Sequence, residues 1–316
     1  MSLPAHEPIV PEGSPRPLAI LGVTASGKSA LAMELARHRG DVELVSVDSM
    51  QVYRGMDVGT AKPSAAERSE VRHHVLDLVD PWESFDVHAF QGAVRCALAD
   101  IYARGKRAVL VGGTGLYLRA VVDDLEIPGQ FPEVAAQLET ETDTVVLHRR
   151  LAELDPLGAA RMEPTNRRRV LRALEVSAGS GRPFSSFGAG MDAHPPSPVH
   201  LVGLWLPRPV VVSRIERRYA DQMAAGFLAE VQAVAAGPPI SHTAAQALGY
   251  RELLAHLRGE VTLDAALATA VTRTRQFARR QRVWFRRDPR ISWLGAADDP
   301  LVVLPALLAE AKTLWD

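Results

Sequence analysis

The sequence predicts an α/β protein with a parallel sheet at its core and a mainly helical insertion within it. Short apolar runs of strand length alternate with longer segments of helical periodicity over residues 18–120. This alternation is typical of βαβ units, which place their strands parallel in one sheet. The next apolar run of this kind comes only at Val199–Leu206, after a long polar stretch. That stretch is therefore predicted to be inserted between two parts of the sheet domain.

Each element of the core follows from its apolar pattern. Four short apolar runs predict strands at Leu18–Gly22, Glu43–Val47, Arg107–Val111 and Val199–Leu206. Helical spacing of apolar residues predicts helices at Ser29–His38 and Asp86–Arg104. From Val210 to Arg290 the pattern is helical again, and a last helix is expected near Leu301–Leu314.

These patterns divide the chain into a core, 18–120 with 199–316, and a helical insertion domain, 121–198. Within the insertion, turns are expected at Pro128, Pro156 and Pro164. Residues 1–17 contain five prolines and no apolar stretch. We therefore expect them to form a disordered tail rather than a signal peptide.

The composition is that of a soluble globular protein, with 47% hydrophobic and 23% charged residues among 316. The one cysteine, Cys96, excludes an internal disulfide and a multi-cysteine metal site, and fits a reducing cytoplasm. No apolar run approaches the ~20 residues that span a bilayer. The net charge is −1, yet five arginines lie within 161–172 and eight within 273–290. Such segregated basic patches are compatible with a polyanionic partner.

A phosphate-binding loop follows the first strand. Gly22 to Ser29 read G-V-T-A-S-G-K-S, which satisfies the pattern G-x-x-x-x-G-K-[ST] between a predicted strand and a predicted helix. Backbone N–H groups of such a loop surround phosphate oxygens, the lysine adds charge, and the last hydroxyl can ligate Mg²⁺. We assign diphosphate binding to Gly22, Thr24, Ala25, Ser26, Gly27, Lys28 and Ser29, with Ser29 also as metal ligand. The loop alone leaves open whether the phosphate is transferred or is a leaving group.

Further segments stand out beside this loop; they are, in order, Asp48–Pro63, Arg72–Asp77, Val111–Tyr117, Ala247–Glu252 and Thr274–Gln281. Together with the loop, they resemble the tRNA dimethylallyltransferase (tRNA isopentenyltransferase) family in its short bacterial form. The resemblance runs from about Leu18 to Arg287. Val23 stands where the family usually has proline, and Met50 where bacterial members commonly have arginine.

The resemblance implies a P-loop NTPase-like core and a defined reaction. A dimethylallyl group passes from dimethylallyl diphosphate to N6 of the adenosine beside the 3′ end of the anticodon, in tRNAs that read codons starting with U. Diphosphate is released, and Mg²⁺ is the expected cofactor. The target base has to leave its stack to reach a buried diphosphate.

Three residues are assigned to catalysis. From its position at a strand end, Asp48 fits either a magnesium ligand or a general base, and the resemblance implies the base that takes the amine proton. Thr114, in a Gly-Gly-Thr-Gly turn, fits a helix cap, whereas the resemblance implies a hydroxyl near the bridging oxygen of the diphosphate. The family's R-I-x-x-R pattern reaches the pyrophosphate and selects Arg214 or Arg217; we assign Arg217 to catalysis and Arg214 to diphosphate binding.

The arginine-rich C-terminal helix is the strongest candidate for a nucleic-acid surface. At 100° per residue, Arg275, Arg279, Arg282 and Arg286 form one stripe, while Phe277, Ala278, Trp284 and Phe285 gather on the side expected to face the core. No acid occurs from Arg273 to Arg287, so the stripe suits a phosphate backbone better than internal ion pairs. We treat the adjacent His73 and His74 as structural, because no further ligand completes a metal site.

Contacts to the anticodon stem-loop of tRNA are expected from four regions of the chain. The assigned residues are Asp48, Ser49, Met50, Gln51, Val52, Tyr53, Asn166, Arg167, Arg168, Arg169, Gln246, Gly249, Tyr250, Arg251, Arg275, Arg279 and Arg282.

Three other functions remain open at this stage. They are a small-molecule kinase, an isopentenyltransferase acting on free AMP or ADP, and a nucleotide-dependent RNA-binding module. We expect a cytoplasmic, monomeric protein without a membrane segment.

Overall fold

A computed structural model of the chain describes residues 8–188, 190 and 193–316. These residues fall into two compact units. The described residues up to Asp123 form the first unit together with Pro196–Asp316, and Asp124–Pro195 forms the second. The insertion bounds predicted from the sequence, 121–198, lie a few residues outside those of the second unit.

The first unit is built on a sheet whose hydrogen-bonded neighbours are all parallel. In the described residues its strands are β1 (Leu18–Leu21), β2 (Val42–Val47), β3 (His73–His74), β4 (Arg107–Gly112), β5 (His200–Trp205) and β6 (Ser292–Gly295), in the order β3-β2-β4-β1-β5-β6. The predicted α/β fold class with a parallel sheet is confirmed. Since the strands are parallel, the segments that follow β2, β4, β1 and β5 all emerge at one edge of the sheet.

Helices connect the strands of the first unit. They are α1 (Lys28–Arg39), α2 (Ala65–Glu70), α3 (Val87–Ala103), α4 (Gly115–Val122), α9 (Arg208–Ala224), α10 (Phe227–Ala235), α11 (Tyr250–Leu257), α12 (Leu263–Phe285) and α13 (Leu304–Trp315). The second unit contains α5 (Pro132–Glu139), α6 (Thr144–Leu154), α7 (Pro156–Ala160) and α8 (Arg167–Ser180). The strands and helices predicted in the first half of the chain are confirmed to within about two residues.

Two strands were not predicted from the sequence. β3 is only two residues long, which is too short for any periodicity to register. β6, Ser292–Gly295, is an edge strand with mostly exposed side chains, so it lacks the apolar run that revealed the others. The expectation of helix up to Arg290 followed only by a last helix was therefore incomplete.

The central strands are buried on both faces, and this explains why their sequences read as continuous apolar runs. β1 lies between β4 and β5, with Leu18 opposite both Val109 and His200. At the end of β4, a Cβ atom on Gly112 would lie 2.2 Å from the carbonyl oxygen of Val47. Only glycine lets the two strands approach this closely as they deliver their loops to the site.

The N-terminal segment is packed where the structure describes it. Ile9 is fully buried in the core of the first unit. The Arg16 guanidinium donates to the carbonyl of Val199 at 3.3 Å, and the Trp315 indole N–H donates to the carbonyl of Arg16 at 2.8 Å. The predicted disorder of residues 1–17 is therefore wrong for residues 8–17, because the apolar Ile9 finds a place in the core. Residues 1–7 lie outside the described residues.

The second unit has a small core of its own, centred on Leu147, Leu151, Val170 and Leu174. Asp155 is buried beside this core, and its carboxylate accepts hydrogen bonds from the N–H of Gly158 and from the N–H and hydroxyl of Ser185. The carboxylate thus satisfies the backbone where α7 begins. No helix in the part of the chain that the structure describes has the length and apolar character needed to cross a bilayer.

Candidate active site

A cavity of about 840 Å³ opens where four strands of the first unit end. The phosphate loop follows β1, Asp48 follows β2, the turn with Thr114 follows β4, and the arginines of α9 follow β5. Residues from each segment line the cavity, including Thr24, Ala25, Gly27, Lys28, Ser29, Asp48, Ser49, Met50, Gln51, Thr114, Arg214, Arg217 and Gln246. The sheet thus brings together residues that are far apart in the sequence.

The phosphate loop has the tight shape that its function requires. Ala25 and Gly27 both have positive φ, 61° and 90°, and the N–H of Ser26 donates to the carbonyl of Val23 at 3.2 Å. Gly22 and Ser26 are buried and are not among the lining residues. A Cβ atom at Gly22 would lie 2.7 Å from the Ser26 hydroxyl oxygen, so these two residues contribute the fold of the loop rather than its surface.

Lys28 lies in the wall of this cavity, with its ammonium nitrogen 3.5 Å from the carbonyl of Val23. Burial lowers the pKa of Lys28 to about 8; the nearby Asp48 partly offsets this shift, and the charge of Arg218 adds to it. The lysine is thus a cation in surroundings that disfavour its charge. The negative charge of a bound diphosphate would instead favour the charged form of the lysine.

Asp48 has one carboxylate oxygen engaged and one open. Its Oδ1 accepts a hydrogen bond from the N–H of Met50 at 2.9 Å, which fixes the orientation of the side chain. Among the described residues no donor reaches Oδ2. The carboxylate is therefore held in place and still able to accept a proton from a molecule in the cavity.

Thr114 occupies the N-cap position of α4, but its side chain accepts no hydrogen bond from the first turn of that helix. Capping is the role that the residues alone suggested, and the structure does not bear it out. Thr114 instead lines the cavity, together with residues of the phosphate loop. Its hydroxyl is available to a ligand.

Two arginines of α9 hold the loop, whereas Arg217 of the same helix does not. Arg214 donates from Nε to the carbonyl of Ala25 at 2.9 Å, and Arg218 donates to the Thr24 hydroxyl at 3.2 Å. Burial lowers the pKa of Arg218. Arg217 is exposed at the cavity margin and makes no hydrogen bond to the loop.

Arg218 is the residue that the sequence analysis overlooked. The spacing of four in R-I-x-x-R puts Arg214 and Arg218 on one face of the helix, and these two bond to the loop. The R-I-x-x-R motif therefore already identified Arg218 as the second arginine.

The segment after Asp48 forms a second wall, anchored by Glu230 of α10. The Glu230 carboxylate accepts hydrogen bonds from three consecutive N–H groups, those of Asp57, Val58 and Gly59, at 2.8, 2.7 and 3.0 Å. The Tyr250 hydroxyl donates to the same carboxylate at 2.5 Å. One carboxylate thus fixes the backbone of this wall.

Several residues predicted to contact tRNA are instead part of this framework. Val52 and Tyr53 are fully buried, and the Tyr53 hydroxyl donates to Thr243. Tyr250 is 1% exposed and Gly249 is buried beside it. The structure does not support these four as RNA contacts, because their side chains or backbone face the core. Gln51 lines the cavity, but its amide donates to the carbonyls of Thr60 and Ala61.

The arginine-rich helix α12 differs from the prediction in two respects. Ala278 and Phe285 are buried, as its predicted core face requires, but Phe277 lines the cavity instead. Arg275, however, forms an ion pair with Glu216 of α9. Arg282 donates to the carbonyl of Leu206 at 2.7 Å. The proposed absence of internal partners is therefore wrong for these two, because the partners come from other elements.

Among the described residues, the side chains of Arg279 and Arg286 have no ion-pair or hydrogen-bond partner, and both residues are exposed. Arg251 is exposed as well. In the second unit, Asn166 caps α8 through the N–H of Arg169, and the Arg167 guanidinium donates to the carbonyls of Glu139, Glu141 and Thr142. Arg168 and Arg169 have exposed side chains. The exposed Arg168 and Arg169 therefore suit an external ligand better than Asn166 and Arg167, whose side chains are engaged within the unit.

His73 and His74 lie on β3 and do not line the cavity. His74 Nε2 is 2.6 Å from the carboxylate of Glu43, and His73 Nδ1 is 2.7 Å from the carbonyl of Val71. These contacts join β3 to β2 and to the preceding turn.

Comparisons with known proteins agree with this geometry. The family model of IPP transferase matches residues 51–288, and that of isopentenyl transferase matches 16–82. The tRNA dimethylallyltransferase of Kineococcus radiotolerans is 46% identical over 300 residues, which cover 90% of this chain and 92% of the relative. That of Geobacter metallireducens is 45% identical over 289 residues, covering 90% and 93%.

Solved structures give the same picture. The full-length tRNA isopentenylpyrophosphate transferase of Bacillus halodurans superposes with a TM-score of 0.69 at 34% identity, covering 95% of this chain and 96% of that one. A eukaryotic dimethylallyltransferase acting on tRNA gives 0.76 at 26% identity, covering 95% and 78%.

Proposed function

Since the chain belongs to the IPP transferase family, we propose that it transfers a dimethylallyl group from dimethylallyl diphosphate to N6 of the adenosine beside the 3′ end of a tRNA anticodon, in tRNAs that read codons starting with U. The observation that carries this proposal is the shared cavity of Asp48 and Lys28. A proton acceptor and a diphosphate cradle face one space, as a displacement at carbon requires.

On the donor side, the diphosphate lies against the phosphate loop. When the bond between the allylic carbon and the bridging oxygen breaks, its electron pair stays on the diphosphate. Lys28, Arg214 and Arg218 stabilise that charge together with backbone N–H groups of the loop. The Thr114 hydroxyl donates a hydrogen bond to the bridging oxygen as it leaves. The lowered pKa of Lys28 supports this, because a cation held in unfavourable surroundings gains most from an anionic ligand.

On the acceptor side, the N6 amine forms a bond to the allylic carbon and loses a proton. The lone pair of this amine is delocalised into the ring, so the amine is a weak nucleophile until the proton leaves. Asp48 takes the proton on its open oxygen Oδ2, while the Met50 N–H holds the carboxylate in orientation. The adenine enters unstacked from the RNA.

The lining residues fit Mg²⁺ as the cofactor. Ser29, whose hydroxyl is the predicted metal ligand, lines the cavity, and hard oxygen ligands are those that Mg²⁺ selects. No cluster of three acidic, histidine or cysteine side chains occurs in the described residues, so most ligands would be phosphate oxygens and water. When bound, the ion would neutralise charge on the departing diphosphate.

For the tRNA we propose contacts from the exposed arginines at the cavity margin and on α12, namely Arg217, Arg251, Arg279 and Arg286, and from Arg168 and Arg169 of the second unit. Gln246, Ser49 and Met50 line the cavity. We also propose that the enzyme is cytoplasmic and acts as a monomer. Relatives named for tRNA modification, and not for phosphoryl transfer or free nucleotides, favour this function over the kinase and AMP/ADP alternatives.

The test is direct. The purified chain is incubated with Mg²⁺, dimethylallyl diphosphate and unmodified tRNA, and the digested nucleosides are analysed by mass spectrometry. We expect one prenylated adenosine per tRNA. Parallel reactions with AMP, with ADP and with ATP plus a nucleoside should give no product. Product in any of these and none on tRNA would overturn the proposal.

A further inference from the structure

Gln281 of α12 links two catalytic segments that follow neighbouring strands of the sheet. Its Oε1 accepts a hydrogen bond from the N–H of Thr24 at 2.8 Å, and its Nε2 donates to the carbonyl of Gly113 at 2.7 Å. A backbone N–H can only donate and a carbonyl can only accept, so the two partners together fix the orientation of the amide. One side chain thus spans the phosphate loop and the turn that carries Thr114.

The link is rigid at both ends. Gln281 is 6% exposed and shares the buried face of α12 with Ala278 and Phe285, which anchor the helix in the core. On the other side, a Cβ atom at Gly113 would lie 2.6 Å from the Gln281 amide nitrogen and 2.7 Å from the carbonyl oxygen of Gly22. The turn, the loop and the amide are therefore in closest contact, and only a glycine at 113 allows it.

The same helix also faces the acceptor side. Gln276, Phe277 and Arg280 of α12 line the cavity within one or two turns of Gln281, and the Arg280 guanidinium lies over the Phe277 ring. A shift of α12 would therefore move the amide against both catalytic segments.

We propose that Gln281 is a positioning residue. It holds the phosphate loop and the Gly113–Thr114 turn at a fixed separation, and so sets the Thr114 hydroxyl against the bridging oxygen of the diphosphate. This inference rests on the proposed function for the role of Thr114. The separation between the phosphate loop and the turn, which Gln281 holds, does not depend on the proposed function. Gln281 also lines the cavity, but its amide oxygen and nitrogen are engaged by Thr24 and Gly113, so we assign its effect to these two segments.

The first test measures binding without reaction. Gln281→Met keeps the length of the side chain and removes both hydrogen bonds. The matched control is Gln91→Met, which removes another buried amide, bonded to the Ala120 carbonyl at 2.8 Å, outside the cavity. We expect Gln281→Met to weaken binding of inorganic pyrophosphate by calorimetry at least 5-fold, and the control to leave it unchanged. Equal pyrophosphate affinity in wild type and Gln281→Met would overturn the proposal, whether or not the protein prenylates tRNA.

The second test asks whether the effect passes through Thr114. Misplacement of a catalytic group by about 1 Å costs on the order of 100-fold in rate, so Gln281→Met should lower kcat about 10- to 100-fold with little change in KM for tRNA. Gln91→Met should lower the melting temperature to a similar degree and keep kcat. When Thr114→Ala is already present, adding Gln281→Met should cause little further loss of kcat. Additive losses, or a Thr114→Ala variant with wild-type kcat, would refute positioning through Thr114.

Gln281→Glu separates the two hydrogen bonds. The carboxylate still accepts from the Thr24 N–H, but it faces the Gly113 carbonyl with a second acceptor and brings negative charge near the diphosphate. We expect a raised KM for the donor and a lowered kcat. Wild-type values for both would contradict the role of the amide donor.

Discussion

The guanidinium of Arg282 lies over the ring of Trp205, 4.1 Å from its centroid. Together with its bond to the Leu206 carbonyl, this stacking fixes Arg282 to the end of β5. Burial lowers the pKa of Arg282, and the charges of Arg208 and Arg286 act in the same direction. Arg282 is thus a structural residue of α12, and the RNA contacts that we propose for this part of the chain fall to the exposed Arg279 and Arg286.

The double variant Arg279→Glu/Arg286→Glu should therefore weaken tRNA binding. Both arginines are exposed and have no partner among the described residues. For each phosphate that the variant no longer neutralises, the dependence of log affinity on log salt should also become flatter by about 0.7 to 0.9. Binding measured at several salt concentrations reports both effects, and a thermal melt should show little change. Arg275→Glu, which breaks an exposed ion pair with Glu216, serves as the comparison. An unchanged salt slope in the double variant would exclude the two arginines from the RNA surface.

Asp48→Asn should lower kcat about 10²- to 10⁴-fold, the usual value of a positioned general base. The amide matches the carboxylate in size and can still accept from the Met50 N–H, so tRNA affinity should remain close to wild type. Single-turnover kinetics with saturating tRNA measure the step. A variant that turns over at the wild-type rate would eliminate Asp48 as the base.

The pH dependence of donor use should report Lys28. A lysine is charged below its pKa, and the pKa of Lys28 is about 8. As the pH rises through that value, Lys28 loses its charge in the free enzyme, and kcat/KM for dimethylallyl diphosphate should fall. Lys28→Arg stays charged throughout and should lack this limb, whatever its absolute rate. If wild type and Lys28→Arg show the same profile above pH 8, a different group controls it.

Removal of the metal should affect donor binding rather than folding. With EDTA present, prenyl transfer should stop while the melting temperature stays unchanged, because no side chains of the described residues form a metal cluster. Ser29→Ala should raise the Mg²⁺ concentration needed for half-maximal rate. Full activity in EDTA would show that the protein needs no metal ion.

Loss of the Glu230 anchor should destabilise the wall formed by Asp57–Gly59. Glu230→Gln retains the shape but removes the charge shared by three N–H groups and the Tyr250 hydroxyl, which should lower the free energy of unfolding by about 1–3 kcal/mol. Denaturant unfolding gives this value. Asp57→Asn, at the edge of the same wall, weakens an ion pair to Lys62 that Asp77 also makes, and should therefore have a smaller effect. Equal losses in the two variants would deny Glu230 a special role.

The sequence predicted those parts of the site that depend on local order. Each apolar run and the residues at its end predicted one part of the site: a loop after β1, an acid after β2 and a threonine after β4. The parallel sheet then brings these three parts together at one edge. The chain positions of Gln281 and Thr24 differ by 257 residues, and no local pattern encodes that contact. Glu216 and Trp205 were missed as partners of the arginines for the same reason. Arg218 is different, since its motif was visible but was assigned one residue too early.

The order of the strands also bears on how the protein is made. β1 lies between β4 and β5, but β5 is synthesised only after residues 124–195. While the ribosome completes that stretch, one edge of an entirely apolar central strand has no hydrogen-bonding neighbour. Such an edge invites pairing with other chains. At about 5–20 residues per second, this exposure lasts several seconds on every ribosome, so the nascent chain should be a substrate for chaperones long before it can bind a diphosphate.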